Sequence, residues 1–356
     1  MFNLILKGKD ELKISTNKIY NVLVVTNSKQ EDFMNEIFDK FLLDINITYM
    51  GIDFEFNKVA KTNKDVALMQ ICLYNNDINV YIFIINPNNI SNKDKLIKLL
   101  IKNNIYKILH GAESLDIPYL FSQLLIDNEN IDLFCESYYD TKYLCDYYNA
   151  FYNIKESCSI YDLLLNQDII TKDKYNELYK IEEDMGPIYL IKIDINNLTD
   201  ILLKYSLYDV LYLPELIIKL LSYGDMYKYT IPQLGGLVNK YKKDMDIMNI
   251  YYIYYNNERY LLNDIWILYH TILISYDNEI NLLNKINYFK NSIKIISKLF
   301  IYLAISKKFK IYKTKNIIFN KNIIKDYYKW IKSYPHIYKL FVYYYKDIYD
   351  DIINSE

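Results

Sequence analysis

The chain has 356 residues, 52% hydrophobic and 24% charged, enough to bury a sizeable core and polar enough to fold as a soluble globule. Its net charge of −2 hides an uneven division: residues 225–356 carry 20 Lys+Arg against 12 Asp+Glu, or +8, leaving 22 against 32, or −10, for residues 1–224. No run reaches the ~18 apolar residues that span a bilayer, and the opening MFNLILKGKDEL turns polar too early for a secretory signal, so a soluble intracellular protein of cytoplasm or nucleus is expected, with no membrane partner.

Residues 19–25 (IYNVLVV) read as a strand and 30–42 as a helix. Three strand candidates follow closely: TYMGIDFEF (48–56), VALMQICLY (66–74) and NVYIFII (79–85). Their β-branched and aromatic residues, with Asn and Asp between them, favour antiparallel hairpins. The spacing predicts a helix over 91–101 with Ser91 as its cap, then a short strand KILH (107–110) running into helical spacing. From about Asp140 strand signals fade and helices dominate. A break near Tyr223-Gly224-Asp225 separates a mixed α/β domain, 1–224, from an all-helical domain, 225–356.

Three segments concentrate carboxylates. In Gly51-Ile52-Asp53-Phe54-Glu55-Phe56 the strand period places Asp53 and Glu55 on one face and the apolar residues on the other. Two such carboxylates repel by about 1 to 4 kcal/mol, a cost that a divalent cation turns into binding; a plain solvated sheet face is the alternative. In His110-Gly-Ala-Glu113-Ser-Leu-Asp116-Ile-Pro-Tyr-Leu, Asp116 falls in a first helical turn, where a carboxylate also complements the helix dipole, and Glu113 is a rival ligand. In Tyr205-Ser-Leu-Tyr-Asp209-Val-Leu-Tyr-Leu, Tyr205 and Asp209 stand at i and i+4 on one helical face, with Pro214 ending or kinking the helix beyond them.

In this order the three segments resemble the motifs of the DEDD 3′–5′ exonuclease superfamily, and ALMQICLY resembles the strand after the first motif in ribonuclease D-like and Werner-type exonuclease domains. Asp140-Thr141 resembles the Asp-Thr pair those proteins carry before a mid-domain helix, where Asp140 reads as a cap. The likeness covers residues 17–222. Tyr205, four residues before Asp209, matches the DEDDy branch, and Lys204 stands where the DEDDh branch has histidine. Asp116 lies six residues after His110, where ribonuclease D-like proteins usually have five. The resemblance implies an α/β, RNase H-like mixed sheet flanked by helices. It also implies two Mg²⁺ or Mn²⁺ ions on Asp53, Glu55, Asp116 and Asp209, with Tyr205 orienting water and nucleoside 5′-monophosphates released from the 3′ ends of DNA or RNA. The alternative is an inactive RNase H-like module that binds nucleic acid or a partner; loss of an acidic ligand would favour it.

Four cysteines, Cys72, Cys135, Cys145 and Cys158, show no CxxC pair and no histidine at zinc-site spacing, and read as free thiols. With 41 Tyr, 7 Gly and Arg259 as sole arginine, the composition fits AT-rich coding, as in a large DNA virus or a protist, so tyrosine abundance says little about stacking. Between residues 285 and 332 stand 13 lysines and one acid, Asp326. Lys290, Lys294 and Lys298 line one helical face, and Lys307, Lys308 and Lys310 alternate with Phe309 and Tyr312. Such a surface tracks phosphates while stacking unpaired bases, so single-stranded nucleic acid is the expected partner; a solubilising lysine face is the alternative.

Overall fold

The run around Asp53 forms an interior strand of a seven-stranded sheet in the computed structural model. Its strands are β1 (Leu4–Lys7), β2 (Ile19–Val24), β3 (Thr48–Lys58), β4 (Lys64–Tyr74), β5 (Asn79–Ile85), β6 (Ile105–Leu109) and β7 (Tyr138–Asp140), in the order β1-β2-β5-β4-β3-β6-β7. β4 is antiparallel to β3 and β5, as the hairpin signals predict. β6 joins β3 in parallel and β7 joins β6. The strands β5-β4-β3-β6-β7 therefore stand third, second, first, fourth and fifth in chain order with the second reversed, which is the expected RNase H-like arrangement. β2 adds to β5 in parallel and β1 closes that edge antiparallel.

The structure describes residues 4–7, 17–58, 64–112, 115–135, 137–152, 154–223, 252–255, 258–261, 322, 325, 328–329, 332 and 335–354. They fall into two compact units, 1–142 with 157–224, and 143–156 with 225–356.

Strand alternation divides the first unit's core in two. Leu23, Ile52, Phe54 and Phe83 turn to one face, against Met34 and Phe38 of α1 (Ser28–Leu43) and Leu96 and Leu99 of α2 (Asp94–Ile101). Val24, Leu68 and Ile84 turn to the other, against Ile193, Ile195 and Leu202. Leu202 belongs to α8 (Asp200–Leu211), which packs on β3, β4 and β5. Each such apolar side chain contributes about 1.5–3 kcal/mol by burial, and this second layer is what lays α8 across the carboxylate face of β3. Among the described residues up to 223 the other α-helices are α3 (Asp116–Tyr119), which passes into a π-helical turn, α4 (Asn128–Cys135), α5 (Thr141–Tyr152), α6 (Ile160–Asn166), α7 (Lys172–Met185) and α9 (Leu213–Leu221). Pro214 sits in the first turn of α9, where its missing N–H costs nothing, so α8 stops just after Asp209.

Several expectations are corrected. Ser91 does not cap α2, which begins at Asp94; its N–H and hydroxyl both donate to Glu31 Oε1, at 2.9 and 2.7 Å. Residues 225–356 are not all helix. Beside α10 (Pro335–Asn354) they hold an antiparallel hairpin, β8 (Tyr252–Tyr255) and β9 (Glu258–Leu261), from β-prone sequence flanking Asn256-Asn257. Cys72 is a free buried thiol, but Cys145 and Cys158 are disulfide-bonded, and an isolated bond of this kind leaves no spacing signal. Among the described residues no helix is long and apolar enough to cross a membrane.

Candidate metal centre

Asp53 and Glu55 sit two residues apart on β3, so they share the face opposite Ile52 and Phe54. Directly after Glu55 the register slips: Glu55 pairs with Leu68 but Phe56 pairs with Val66, which makes Ala67 a bulged residue. A bulge bends the strand and re-aims side chains, here where the acidic pair ends. Asp209 arrives from α8. Its approach depends on Gly51, where a Cβ would stand 2.8 Å from the Val210 carbonyl oxygen and 3.3 Å from Leu213 Cβ. With glycine there, the end of α8 settles on the strand. Oxygens of Asp53, Glu55 and Asp209 then lie within 4.8 Å of one another.

Three carboxylates this close, largely out of water, resist ionising together. Burial pushes the Asp53 carboxyl up to about 7. Burial raises Glu55 too, aided by the Asp53 charge. Asp209 is raised by burial first, then by Asp53, Glu55 and Glu182. Asp209 Oδ2 is buried with no hydrogen-bond partner, and among the described residues no lysine or arginine pairs with the three. An orphaned anionic oxygen in an all-carboxylate set fits a hard divalent cation of the Mg²⁺ or Mn²⁺ kind.

Tyr205 lies one turn before Asp209 on α8. The Asp209 charge, then burial, pushes its phenol far above the ordinary range, with Glu55 and Asp53 adding to the effect. Two neighbours of the cluster carry no sequence signal. Tyr161 of α6 is buried and is raised by burial, then by Asp209, Glu182 and Asp53. Glu182 is exposed on α7 and reaches the cluster only because α7 packs along α8.

Asp116 is half-buried at the first residue of α3 and is not one of the three gathered acids. Glu113, its rival, lies outside the described residues, as do Lys290, Lys294, Lys298, Lys307, Lys308 and Lys310. Lys204 is exposed on α8. His110, at the head of the second motif, is held neutral: burial lowers its imidazole to about 3, and its Nδ1 meets the Thr141 hydroxyl at 2.9 Å. Asp140 does accept from the Lys142 N–H at the start of α5, at 3.0 Å, and it also holds the turn after His110.

No family model matches the sequence. The chain is 28% identical over 367 aligned positions to an uncharacterised protein of Acanthamoeba polyphaga mimivirus, covering 90% of this chain and 71% of that one. Its fold resembles RNase D of Trypanosoma brucei in a complex with GMP, at 15% identity and TM-score 0.43, over 62% of each chain. It also resembles RNase D of Escherichia coli, described as an exoribonuclease involved in structured RNA processing, at 16% identity and TM-score 0.42, over 88% and 83% of the two chains. The chain thus spans less than two thirds of the trypanosomal protein. Its strand order, with the acidic strand β3 meeting the acidic helix α8 over one face of the sheet, is the RNase H-like arrangement.

Proposed function

We propose that the protein is a Mg²⁺- or Mn²⁺-dependent 3′–5′ exonuclease that hydrolyses phosphodiester bonds of DNA or RNA and releases nucleoside 5′-monophosphates. The observation that carries this reading is the convergence of Asp53, Glu55 and Asp209 within 4.8 Å, with Tyr205 one helical turn from Asp209. Divalent cations held by these acids would supply Lewis-acid stabilisation of the charge that develops at the phosphate during hydrolysis. Asp53, Glu55 and Asp209 are the ligands we assign, with Asp116 completing the set from α3. Tyr205 is assigned to orient the attacking water. Its phenol stays protonated beside the Asp209 charge, so it donates a hydrogen bond and does not act as the base. The alternative of a non-cutting module would be favoured by a missing ligand, and all four positions carry carboxylates.

The test is hydrolysis of 5′-end-labelled DNA and RNA oligonucleotides with Mg²⁺, Mn²⁺ or EDTA. Stepwise shortening from the 3′ end is expected, abolished by EDTA and slowed by a 3′-phosphate. Cleavage of a circular single strand with linear ends left intact would overturn the assignment.

A further inference from the structure

We propose that Asp140, at the end of β7, is a positioning residue for Asp116: its carboxylate fixes the turn through which β6 delivers that acid into α3. The inference rests on the metal-centre reading above.

Asp140 is only 2% exposed, and its two oxygens are spent mainly on one stretch of backbone. Oδ1 accepts from the Gly111 N–H at 2.9 Å and Oδ2 from the Ala112 N–H at 3.0 Å. The Tyr138 hydroxyl donates to Oδ2 at 3.1 Å and so holds the carboxylate itself. Gly111 has a φ of 66°, a left-handed value that glycine adopts without strain. It is flanked by the last residue of β6 and His110 on one side and by the path to α3 on the other.

The next bond carries this placement forward. The Ala112 carbonyl accepts from the Ile117 N–H at 3.0 Å, and Ile117 directly follows Asp116. A continuous hydrogen-bonded path thus runs from the Asp140 carboxylate through Ala112 to the peptide beside Asp116. Ile117 and Tyr119 hold α3 in the core, and the bonded path from Asp140 reaches the start of that helix. It is four residues long, and Leu115, at its N-cap, offers no side-chain bond. The strand end is fastened from the same side, since the Thr141 hydroxyl donates to the Leu109 carbonyl at 3.1 Å. Capping α5 explains the bond from Lys142 to Asp140 but not those from Gly111 and Ala112. The bonds to Gly111 and Ala112, the first partly and the second fully buried, are charge-assisted and run to the stretch that leads to Asp116.

The test is a Mn²⁺ titration of the full chain followed by thermal unfolding, with oligonucleotide hydrolysis as a second readout. In Asp140→Asn an amide N–H faces a backbone N–H, and the Mn²⁺ concentration for half-maximal stabilisation should rise about tenfold or more, the size seen when groups supporting metal ligands are removed. Hydrolysis should lose kcat with KM for the oligonucleotide little changed. Tyr138→Phe keeps the ring that stacks on Phe134 and removes only the bond to Oδ2, so a smaller shift in the same direction is expected. It decides the matter if Asp140→Asn does not fold. Phe38→Leu, in the opposite core layer, should lower the melting temperature and leave the Mn²⁺ midpoint alone. Wild-type midpoints in the Asp140 and Tyr138 variants, or in Asp116→Asn, would overturn the positioning role. A wild-type chain with no Mn²⁺ response would remove the metal-centre reading, and the positioning role with it.

Discussion

As the metal ligand proposed above, Asp53 should have opposite effects on stability with and without a cation. Its folded carboxyl is raised to about 7, against roughly 3.9 when unfolded, so in that window the folded chain binds the extra proton and its stability falls as pH rises. His110 works the other way. Its imidazole is lowered to about 3, so the folded state binds fewer protons and stability falls as pH drops below roughly 6.5. Comparing wild type with Asp53→Asn cancels the histidine. Free of metal, the variant should melt above wild type at about pH 8, and the gap should close towards about pH 5. Mn²⁺ at about 100 times its dissociation constant should then stabilise wild type by ~2.7 kcal/mol per site, and the variant should lose most of that gain. Identical pH profiles and identical metal responses would mean that Asp53 binds no cation. The second motif is decided by turnover. Asp116→Asn should slow hydrolysis at least ~100-fold, a barrier rise of about 2.7 kcal/mol, whereas Glu113→Gln should cost less than about tenfold. Tyr205→Phe should slow chemistry and leave the Mn²⁺ thermal shift intact, because the phenol is assigned to water and not to the ion. A dead Glu113→Gln beside a normal Asp116→Asn would move the ligand by one helical turn.

At the scale of elements, Gly51 shows how one missing Cβ positions an acid on another helix. An added methyl would stand 2.8 Å from the Val210 carbonyl, which is backbone and cannot swing aside. Gly51→Ala should therefore push the end of α8 off β3 and cost about 1–3 kcal/mol of stability, as overpacking does. Asp209 adjoins Val210, so its oxygens would move as well. A displacement of about 1 Å can cost about 100-fold in rate. Turnover should then fall well beyond what the melting curve accounts for, and a Gly51→Ala chain with normal turnover would show that α8 tolerates the shift. The elements that meet here were legible in the sequence. β3, β4 and β5 are long runs of β-prone residues, and Tyr205 and Asp209 mark one face of α8. What was not legible is short or remote. β1 and β7 have four and three residues, too few to show a period, and are strands only because β2 and β6 offer them an edge. The approach at Gly51 and the arrival of Tyr161 and Glu182 near Asp209 depend on how α7 packs against α8 and α6 against α7, which no local pattern encodes. Asp140 was legible as a cap, but its hold on Gly111 and Ala112 needed β6 and β7 to be paired.

For the whole molecule the open quantity is charge. Residues 1–224 carry −10, three of whose acids crowd one cluster, and such a surface repels a polyphosphate strand. On the exonuclease reading proposed above, divalent ions held by the cluster would offset part of that locally. Binding of a strand would call for cations beyond that cluster, and residues 225–356 carry a net +8. The lysines between 285 and 332 stand among aromatic residues, the combination that binds single strands by neutralising phosphates and stacking bases. Each phosphate neutralised releases counterions, so the salt dependence of binding grows with the number of phosphates engaged. Changing Lys307, Lys308 and Lys310 to glutamine should therefore weaken oligonucleotide binding and flatten the log–log dependence of affinity on salt, by about 0.7 for every phosphate that is no longer neutralised. The measurement is fluorescence anisotropy of a labelled single strand across a salt series, with Ca²⁺ in place of Mg²⁺ to hold turnover down. The melting temperature is read alongside, so that a loss of binding is told apart from a loss of folding. A triple variant that binds with wild-type affinity and an unchanged slope would assign these lysines to solubility alone and leave the source of the compensating charge elsewhere in the chain.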